Sequence, residues 1–339
     1  MLSRLDRLAY HSQHLSFLIN ATVMEEATRL ITRRPRPTID NAVWKCLQHR
    51  RSELHRRDLK NVDAGHYPRE LLFDFPVRRF IREFPRLVRD APRVVRRMRA
   101  KDYKDIPEVD KERFPPYYRR TFHWQTDGYF SEHSATVYEL GVELLFRGTA
   151  DVMRRQIIPP ISELVKASGG ADKVRVLDVG CGTGRTLHQL AIAHPTMRLH
   201  GCDMSPAYIK MARTRLEHIQ ELTLAVENGE ALPWADATFD VVTSTYMFHE
   251  LPRNARRNVV REMLRVVRPG GLVVIEDSAQ LSESPELEPV LEGFPAEFHE
   301  PFYSDYLGDD LGALLDEVGF DVQRTEPHLV AKVVVGTRA

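Results

Sequence analysis

The sequence predicts an α/β fold: a seven-stranded, mostly parallel sheet with an antiparallel last strand, preceded by a helical N-terminal region. Three observations predict it. Residues 171–339 alternate short aliphatic runs with segments of helical periodicity, the pattern of a parallel sheet flanked by helices. The first of these runs, Val174-Arg175-Val176-Leu177-Asp178-Val179, leads straight into Gly180-Cys181-Gly182-Thr183-Gly184. Residues 1–110 instead carry helical periodicity interrupted by prolines.

Charge divides the chain. The 339 residues have zero formal net charge. Residues 1–120 hold 28 Lys plus Arg against 16 Asp plus Glu, so they carry +12 and the remainder carries −12. Three regions are expected: a basic helical domain over 1–115, connecting helices and a candidate lid over 116–170, and an α/β domain over 171–339. Within the first, Phe80, Phe84, Leu87, Ala91, Val94 and Met98 share one helical stripe in a run thick with arginine from Arg78 to Arg99. Pro85 and Pro92 are expected to divide that stripe into short helices, each starting at its proline. Lys101 to Pro116 reads as a linker, and 134–166 as one or two helices ended by Ser168-Gly169-Gly170. Strands are expected near 174–179, 198–203, 222–227, 239–245, 271–276, 319–325 and 329–336, the last two close enough to pair as a hairpin.

The glycine run carries the chemistry. Three glycines at alternate positions let the chain bend sharply and approach a ligand closely. Arg185 to Ala193 has helical periodicity, so the loop opens a helix whose free N–H groups face that ligand. The dinucleotide fingerprint G-x-G-x-x-G needs a third glycine where Arg185 stands, and a phosphate-binding P-loop needs a Lys that is absent. Asp203 ends the second strand, where a carboxylate can accept hydrogen bonds from both hydroxyls of a ribose. Met204 is placed to lie on a purine face. Ser205-Pro206 supplies an N-cap and a first helical residue.

Two later segments complete the pattern: Val226-Glu227-Asn228-Gly229-Glu230, and Glu262 to Ile275 around Pro269-Gly270-Gly271. The Val174–Gly184 run resembles motif I of the class I S-adenosylmethionine-dependent methyltransferases, and the whole of this region is similar to their type 11, quinone-biosynthesis branch. The resemblance implies a Rossmann-like domain and S-adenosyl-L-methionine as cofactor. It implies cofactor contacts from Asp178, Gly180, Cys181, Gly182, Gly184, Asp203, Met204, Asn228 and Gly229. That branch usually has an acid at the place of Asn228; Asn can still accept the adenine amino hydrogen through its carbonyl oxygen. Gly229 would offer a backbone N–H to an adenine ring nitrogen.

Methyl transfer from a sulfonium needs alignment and exclusion of water, and a general base only if the acceptor must lose a proton. His249, after the fourth strand, is the candidate catalytic residue; Glu250 reads as a helix-start acid. Tyr118, His123, Trp124 and Tyr129 lie in an aromatic segment before the catalytic domain, and His299 and Tyr303 in another after the fifth strand. Both segments are candidate substrate or lid elements. His299, Glu300, His123 and Asp127 have ligand-type side chains, but neither H-E-x-x-H nor paired C-x-x-C is present, so no metal is expected.

The acceptor expected from this pattern is a small, aromatic or lipid-like molecule. The competing readings are an S-adenosylmethionine-binding sensor or assembly protein without methyl transfer, and a dinucleotide oxidoreductase, which Arg185 disfavours. The run from Arg78 to Arg99 is read first as a helix packed on the protein with its arginines in water, and second as a contact with an anionic membrane surface. Nucleic acid ranks last, because no recognition module is legible. Three cysteines make no disulfide framework, no apolar run has the length of a membrane span, and no signal peptide is evident, so a reducing cytoplasm is the expected compartment.

Overall fold

The computed structural model describes residues 1–32, 39–122, 127–298 and 300–339. The N-terminal region comprises α1 (Arg4–Thr32), α2 (Asn41–Asp63), α3 (Val77–Ala100), α4 (Glu132–Leu145), α5 (Ala150–Arg154) and α6 (Ile158–Ser168). The α/β region follows as β1 (Arg175–Val179), α7 (Arg185–Ala193), β2 (Arg198–Asp203), α8 (Pro206–Arg215), β3 (Leu222–Val226), β4 (Phe239–Thr245), α9 (Arg253–Val266), β5 (Val267–Ser278), α10 (Glu288–Phe298), α11 (Tyr303–Leu307), α12 (Leu311–Val318), β6 (Phe320–His328) and β7 (Ala331–Arg338). The sheet order is β3-β2-β1-β4-β5-β7-β6. Strands β1 to β5 pair in parallel, and β7 runs antiparallel to both β5 and β6. All seven expected strands are present. The Pro269-Gly270-Gly271 segment lies inside β5, where the register with β4 shifts between Phe239 and Val241.

Alternation along the strands builds two cores. Val176, Leu199, Val241 and Val274 face one side, against Ile161 of α6 and Leu187 and Leu190 of α7. Leu177, Val242, Val273 and Ile275 face the other, against Val260 and Met263 of α9 and Leu314 and Leu315 of α12. Successive side chains of a strand point to opposite faces, so a near-continuous aliphatic run is buried twice over. The first core also takes in Tyr10 of α1, Leu59 of α2, and Tyr67, Leu71 and Leu72 of the segment between α2 and α3. Asp58 of α2, fully buried, ties this region down. It accepts hydrogen bonds from Tyr10 (2.7 Å) and Tyr67 (2.6 Å) and two from Arg155 (2.9 and 2.6 Å).

One expectation fails. Pro85 and Pro92 do not divide the arginine-rich stripe: α3 is one helix of 24 residues that runs through both. A proline removes the N–H that would bond the carbonyl four residues back. Those carbonyls belong to Ile81 and Val88, which are exposed, and both prolines are exposed too. Solvent has access to the freed groups, so the helix can continue through both prolines. The inner face holds Phe80, Ala91 and Val94, with Phe84 and Leu87 half-buried. Part of the arginine run is paired within the chain: Arg79, largely buried, binds Glu83 and Glu139, and Arg93, exposed, binds Asp105 and Asp127. No helix among the described residues is long and apolar enough to cross a membrane.

Candidate active site

A cleft opens where the C-terminal ends of the parallel strands meet residues 117–122 and Tyr129. The strand order reverses between β1 and β4, which leaves a crevice at their carboxyl ends. Gly180, Gly182, Asp203, Met204, Asn228 and Gly229 line its floor. Asp178, Cys181 and Gly184 are not among the residues that line it.

The glycine loop is held by its neighbours. The N–H groups of Gly180 and Cys181 both donate to the Cys202 carbonyl at 2.9 Å. Gly182 donates to Asp203 Oδ2 at 3.0 Å, and Ser205 donates to Asp203 Oδ1 at 2.8 Å. Gly180 has φ +72°, and a Cβ there would lie 2.5 Å from the Met247 sulfur. Gly184 caps α7 with φ +82°, where a Cβ would sit 2.8 Å from Leu216 Cδ1. Neither position takes a side chain without rearrangement. Burial pushes the Asp203 carboxyl up to about 6, against the pull of its two N–H donors.

Asp178 is 1% exposed, and neither of its oxygens has a hydrogen-bond partner among the described residues. Burial pushes its carboxyl up to about 8, with Arg154 pulling the other way. An orphaned buried carboxylate is costly unless a ligand satisfies it. Together with the glycine-rich loop and Asp203, it fits a nucleoside cofactor carrying an ammonium group. Asn228 departs from expectation in detail: its Oδ1 accepts the Glu230 N–H at 3.0 Å, so part of its acceptor capacity closes its own turn.

The N-terminal helices grip the same loop. Thr183 donates to Glu139 of α4 at 2.5 Å, and Arg215 donates to the Thr183 carbonyl at 2.7 Å. Arg185, the residue in place of the third dinucleotide glycine, is buried between Asp151 of α5 and Asp74. Sequence reasoning missed these partners because they lie 32 to 111 residues from the loop residues they hold.

Aromatic residues close the far side. Tyr117, Tyr118, Phe122 and Tyr129 all line the cleft, as do Tyr138 of α4 and Tyr246 after β4. Of the expected lid residues, Tyr118 and Tyr129 are therefore at the cleft, while His123, Trp124 and His299 lie outside the described residues. Tyr303 is not at the cleft: it is buried in a satellite core with Leu287, Leu291 and Leu307. Its ring meets that of His249 edge-on from behind, with centroids 5.9 Å apart.

After β4 the chain places Glu250, not His249, on the cleft wall. Tyr129 donates a hydrogen bond to Glu250 Oε1. His249 is 4% exposed and sits behind, its Nδ1 2.6 Å from Oδ1 of Asp277 at the end of β5. The other Asp277 oxygen accepts the Phe248 N–H at 2.7 Å. Burial alone would lower the His249 pKa, but the charge and hydrogen bond of Asp277, helped by Glu250 and Glu300, carry it above its usual value. One potential ligand atom from each of His249, Glu250 and Glu300 lies within 4.8 Å of the others. This grouping has no sequence spacing to announce it, since the fold alone brings residue 300 beside residues 249 and 250.

A doubly wound sheet, a glycine-rich loop at the mouth of its first strand and an acid at the tip of its second define an α/β enzyme that binds a nucleoside cofactor. Residues 176–271 match the family described as a methyltransferase domain. The chain is similar to O-methyltransferase rstn1 of Aspergillus nomiae, 33% identical over 180 residues that cover 51% of this chain and 75% of that one. O-methyltransferase resE of Aspergillus sclerotiorum is 29% identical over 180 residues, 51% of this chain and 64% of that one. Demethylmenaquinone methyltransferase of Bacillus licheniformis is 37% identical over 105 residues, 31% and 44% of the two chains. The chain belongs to the class I S-adenosylmethionine-dependent methyltransferases.

Proposed function

We propose that this methyltransferase acts on a hydroxyl oxygen of a small, aromatic or extended apolar acceptor. The observation that carries this reading is Glu250 on the wall of an aromatic cleft, backed by the His249–Asp277 pair. The names of two relatives point the same way. The cofactor, when bound, supplies a methyl carbon activated by the sulfonium. In this reading Asp203 holds the ribose hydroxyls, Met204 and Asn228-Gly229 border the adenine, and Asp178 meets the ammonium group. The tyrosines stack on the acceptor and exclude water. Glu250 accepts the hydroxyl proton as the oxygen takes the methyl group, and His249, oriented by Asp277, is the next station for that proton.

The segment 116–170 then serves as a cover for the cleft, and residues 1–115 as a brace for the glycine loop. A cytoplasmic setting suits the free cysteines. The exposed Arg78, Arg82, Arg86 and Arg89 of α3 support a peripheral contact with an anionic membrane. Sedimentation with phosphatidylglycerol vesicles tests that contact, which fails if Arg82→Glu and Arg86→Glu leave vesicle binding unchanged.

Calorimetry with S-adenosylhomocysteine tests the cofactor assignment. Asp203→Ala is expected to weaken binding by about 1–3 kcal/mol; unchanged affinity removes Asp203 from the ribose site. Labelled S-adenosylmethionine offered with phenols, aliphatic alcohols, amines and thiols tests the acceptor class. Turnover confined to amines or thiols overturns the hydroxyl assignment.

A further inference from the structure

The tyrosines of the cleft differ in what their hydroxyls do. Tyr117 donates to Glu230 at 2.6 Å, and Tyr129 donates to Glu250. The Tyr208 hydroxyl lies 3.0 Å from Ser134 Oγ, and Tyr246 donates to the Ala150 carbonyl at 3.4 Å. Tyr118 lines the same cleft, but its buried hydroxyl has no hydrogen-bond partner among the described residues. Ser205, close to it, is committed elsewhere: its Oγ donates to the Tyr129 carbonyl and accepts the Tyr208 N–H at 3.2 Å. A buried hydroxyl left without a partner is costly, and in a cleft it marks the place where a ligand completes the bond.

Three rings hold the Tyr118 side chain in place. Phe114 stacks on it with centroids 5.7 Å apart, Phe130 meets it edge-on at 5.4 Å, and Tyr129 lies 5.9 Å away. Burial, then the charges of Asp203 and Glu250, push its hydroxyl well above the usual tyrosine range, so it keeps its proton and acts as a donor. Tyr118 stands on the aromatic side of the cleft, across from the glycine floor that fits the cofactor. Its neighbour there is Tyr129, whose hydroxyl carries Glu250. An acceptor lying against this side meets two polar groups of opposite kind. The Glu250 carboxylate accepts and is matched by the reacting hydroxyl. The Tyr118 phenol donates and is matched by an oxygen with a lone pair.

We propose that the Tyr118 hydroxyl binds a second oxygen of the acceptor, next to the reacting hydroxyl, so that the preferred acceptor is a phenol with an ether or carbonyl oxygen at its ortho position. A site built to donate to such an oxygen discriminates against the analogue that lacks it, because the buried donor is then left unpaired. The inference rests on the hydroxyl-acceptor reading and narrows its substrate class.

Calorimetry on the full chain saturated with S-adenosylhomocysteine tests it with 2-methoxyphenol and 2-ethylphenol, which differ by one oxygen in place of a methylene. The first is expected to bind about fivefold tighter or more, as one added hydrogen bond gives. In Tyr118→Phe the two should bind within about twofold of each other, while S-adenosylhomocysteine affinity changes less than about threefold. Equal affinities in the unmodified chain overturn the proposal, as does a preference that survives Tyr118→Phe, or binding of neither phenol at about 10 mM. A loss of about tenfold or more in S-adenosylhomocysteine affinity in Tyr118→Phe assigns the hydroxyl to the ribose beside Asp203 and overturns it. Tighter binding of 4-methoxyphenol than of 2-methoxyphenol overturns the ortho placement. Labelled S-adenosylmethionine separates this inference from the reading beneath it. A preference erased by Tyr118→Phe, with methyl transfer confined to amines or thiols, overturns the hydroxyl reading and keeps the Tyr118 contact. Methyl transfer to both phenols, bound equally well, keeps the hydroxyl reading and overturns the contact.

Discussion

Glu250→Gln is expected to lower kcat about a hundredfold or more while changing S-adenosylhomocysteine affinity by less than threefold. Gln keeps the size of the side chain and an oxygen to accept from Tyr129, so the wall stays in place. What it loses is the capacity to take a proton, and positioned proton transfer contributes about 10²–10⁴-fold. Asp277→Asn tests the next link. The carboxylate of Asp277 favours the charged imidazole, so His249 titrates above its usual value in the intact enzyme. Only the neutral ring can receive a proton. The acidic limb of the kcat profile should therefore lie above pH 6.5, the ordinary histidine value, and activity should rise as pH climbs through it. In Asp277→Asn that limb should move to lower pH while the maximal rate falls, because the ring loses its orientation as well as its counter-charge. A limb that stays in place in Asp277→Asn removes His249 from the proton route. An unaltered kcat in Glu250→Gln removes the carboxylate and leaves acceptor activation to another group.

How much of this site could be read in advance follows sequence distance. The Gly180–Gly184 loop, Asp203 and Asn228-Gly229 were legible because each ends or closely follows a strand whose aliphatic pattern is plain. The strand places the residue, and parallel pairing puts all the strand ends at one rim. Asp277 was not legible as the partner of His249. The two are 28 residues apart, and they meet only because β4 and β5 are neighbours in register, Thr245 opposite Glu276. Glu250 was misread for a related reason. Its position suits a helix start, but the chain turns there in a single 3₁₀ turn whose last residue faces the cleft. Tyr303 illustrates the converse: an aromatic residue in the right segment, drawn away from the cleft by a satellite core. Arg185 could be read only as the absence of a glycine. Its burial between Asp74 and Asp151 ties the loop to the N-terminal region, and no local pattern encodes that.

Asp58→Ala should cost about 3–5 kcal/mol of stability in urea denaturation, the range for breaking a buried ion pair by removing one partner. Arg155 would be left 3% exposed with its charge uncompensated, and the hydroxyls of Tyr10 and Tyr67 would lose their acceptor. The effect has a pH signature. Burial alone would raise the Asp58 pKa, but Arg155 and the two tyrosines outweigh it and hold the carboxyl below its ordinary 3.8. A depressed carboxyl stabilises the fold fully above its unfolded value and loses that contribution as pH falls through the folded one. The difference between the unmodified chain and Asp58→Ala should thus be constant from about pH 5 to 7 and shrink below about pH 4. Pairing Asp58→Ala with Arg155→Met removes both charges. The double variant should be more stable than the sum of the single losses implies, because the greater part of the cost is the orphaned guanidinium rather than the attraction itself. Strict additivity would place the stabilisation in the tyrosine hydrogen bonds. The same pair of variants reports on the cofactor loop. Arg155 directly follows Arg154 and lies four residues beyond Asp151, the anchor of Arg185. If the N-terminal helices brace the loop as a unit, Asp58→Ala should also weaken S-adenosylhomocysteine binding from a position well outside the cleft. If they cover the sheet and nothing more, affinity should hold while stability falls.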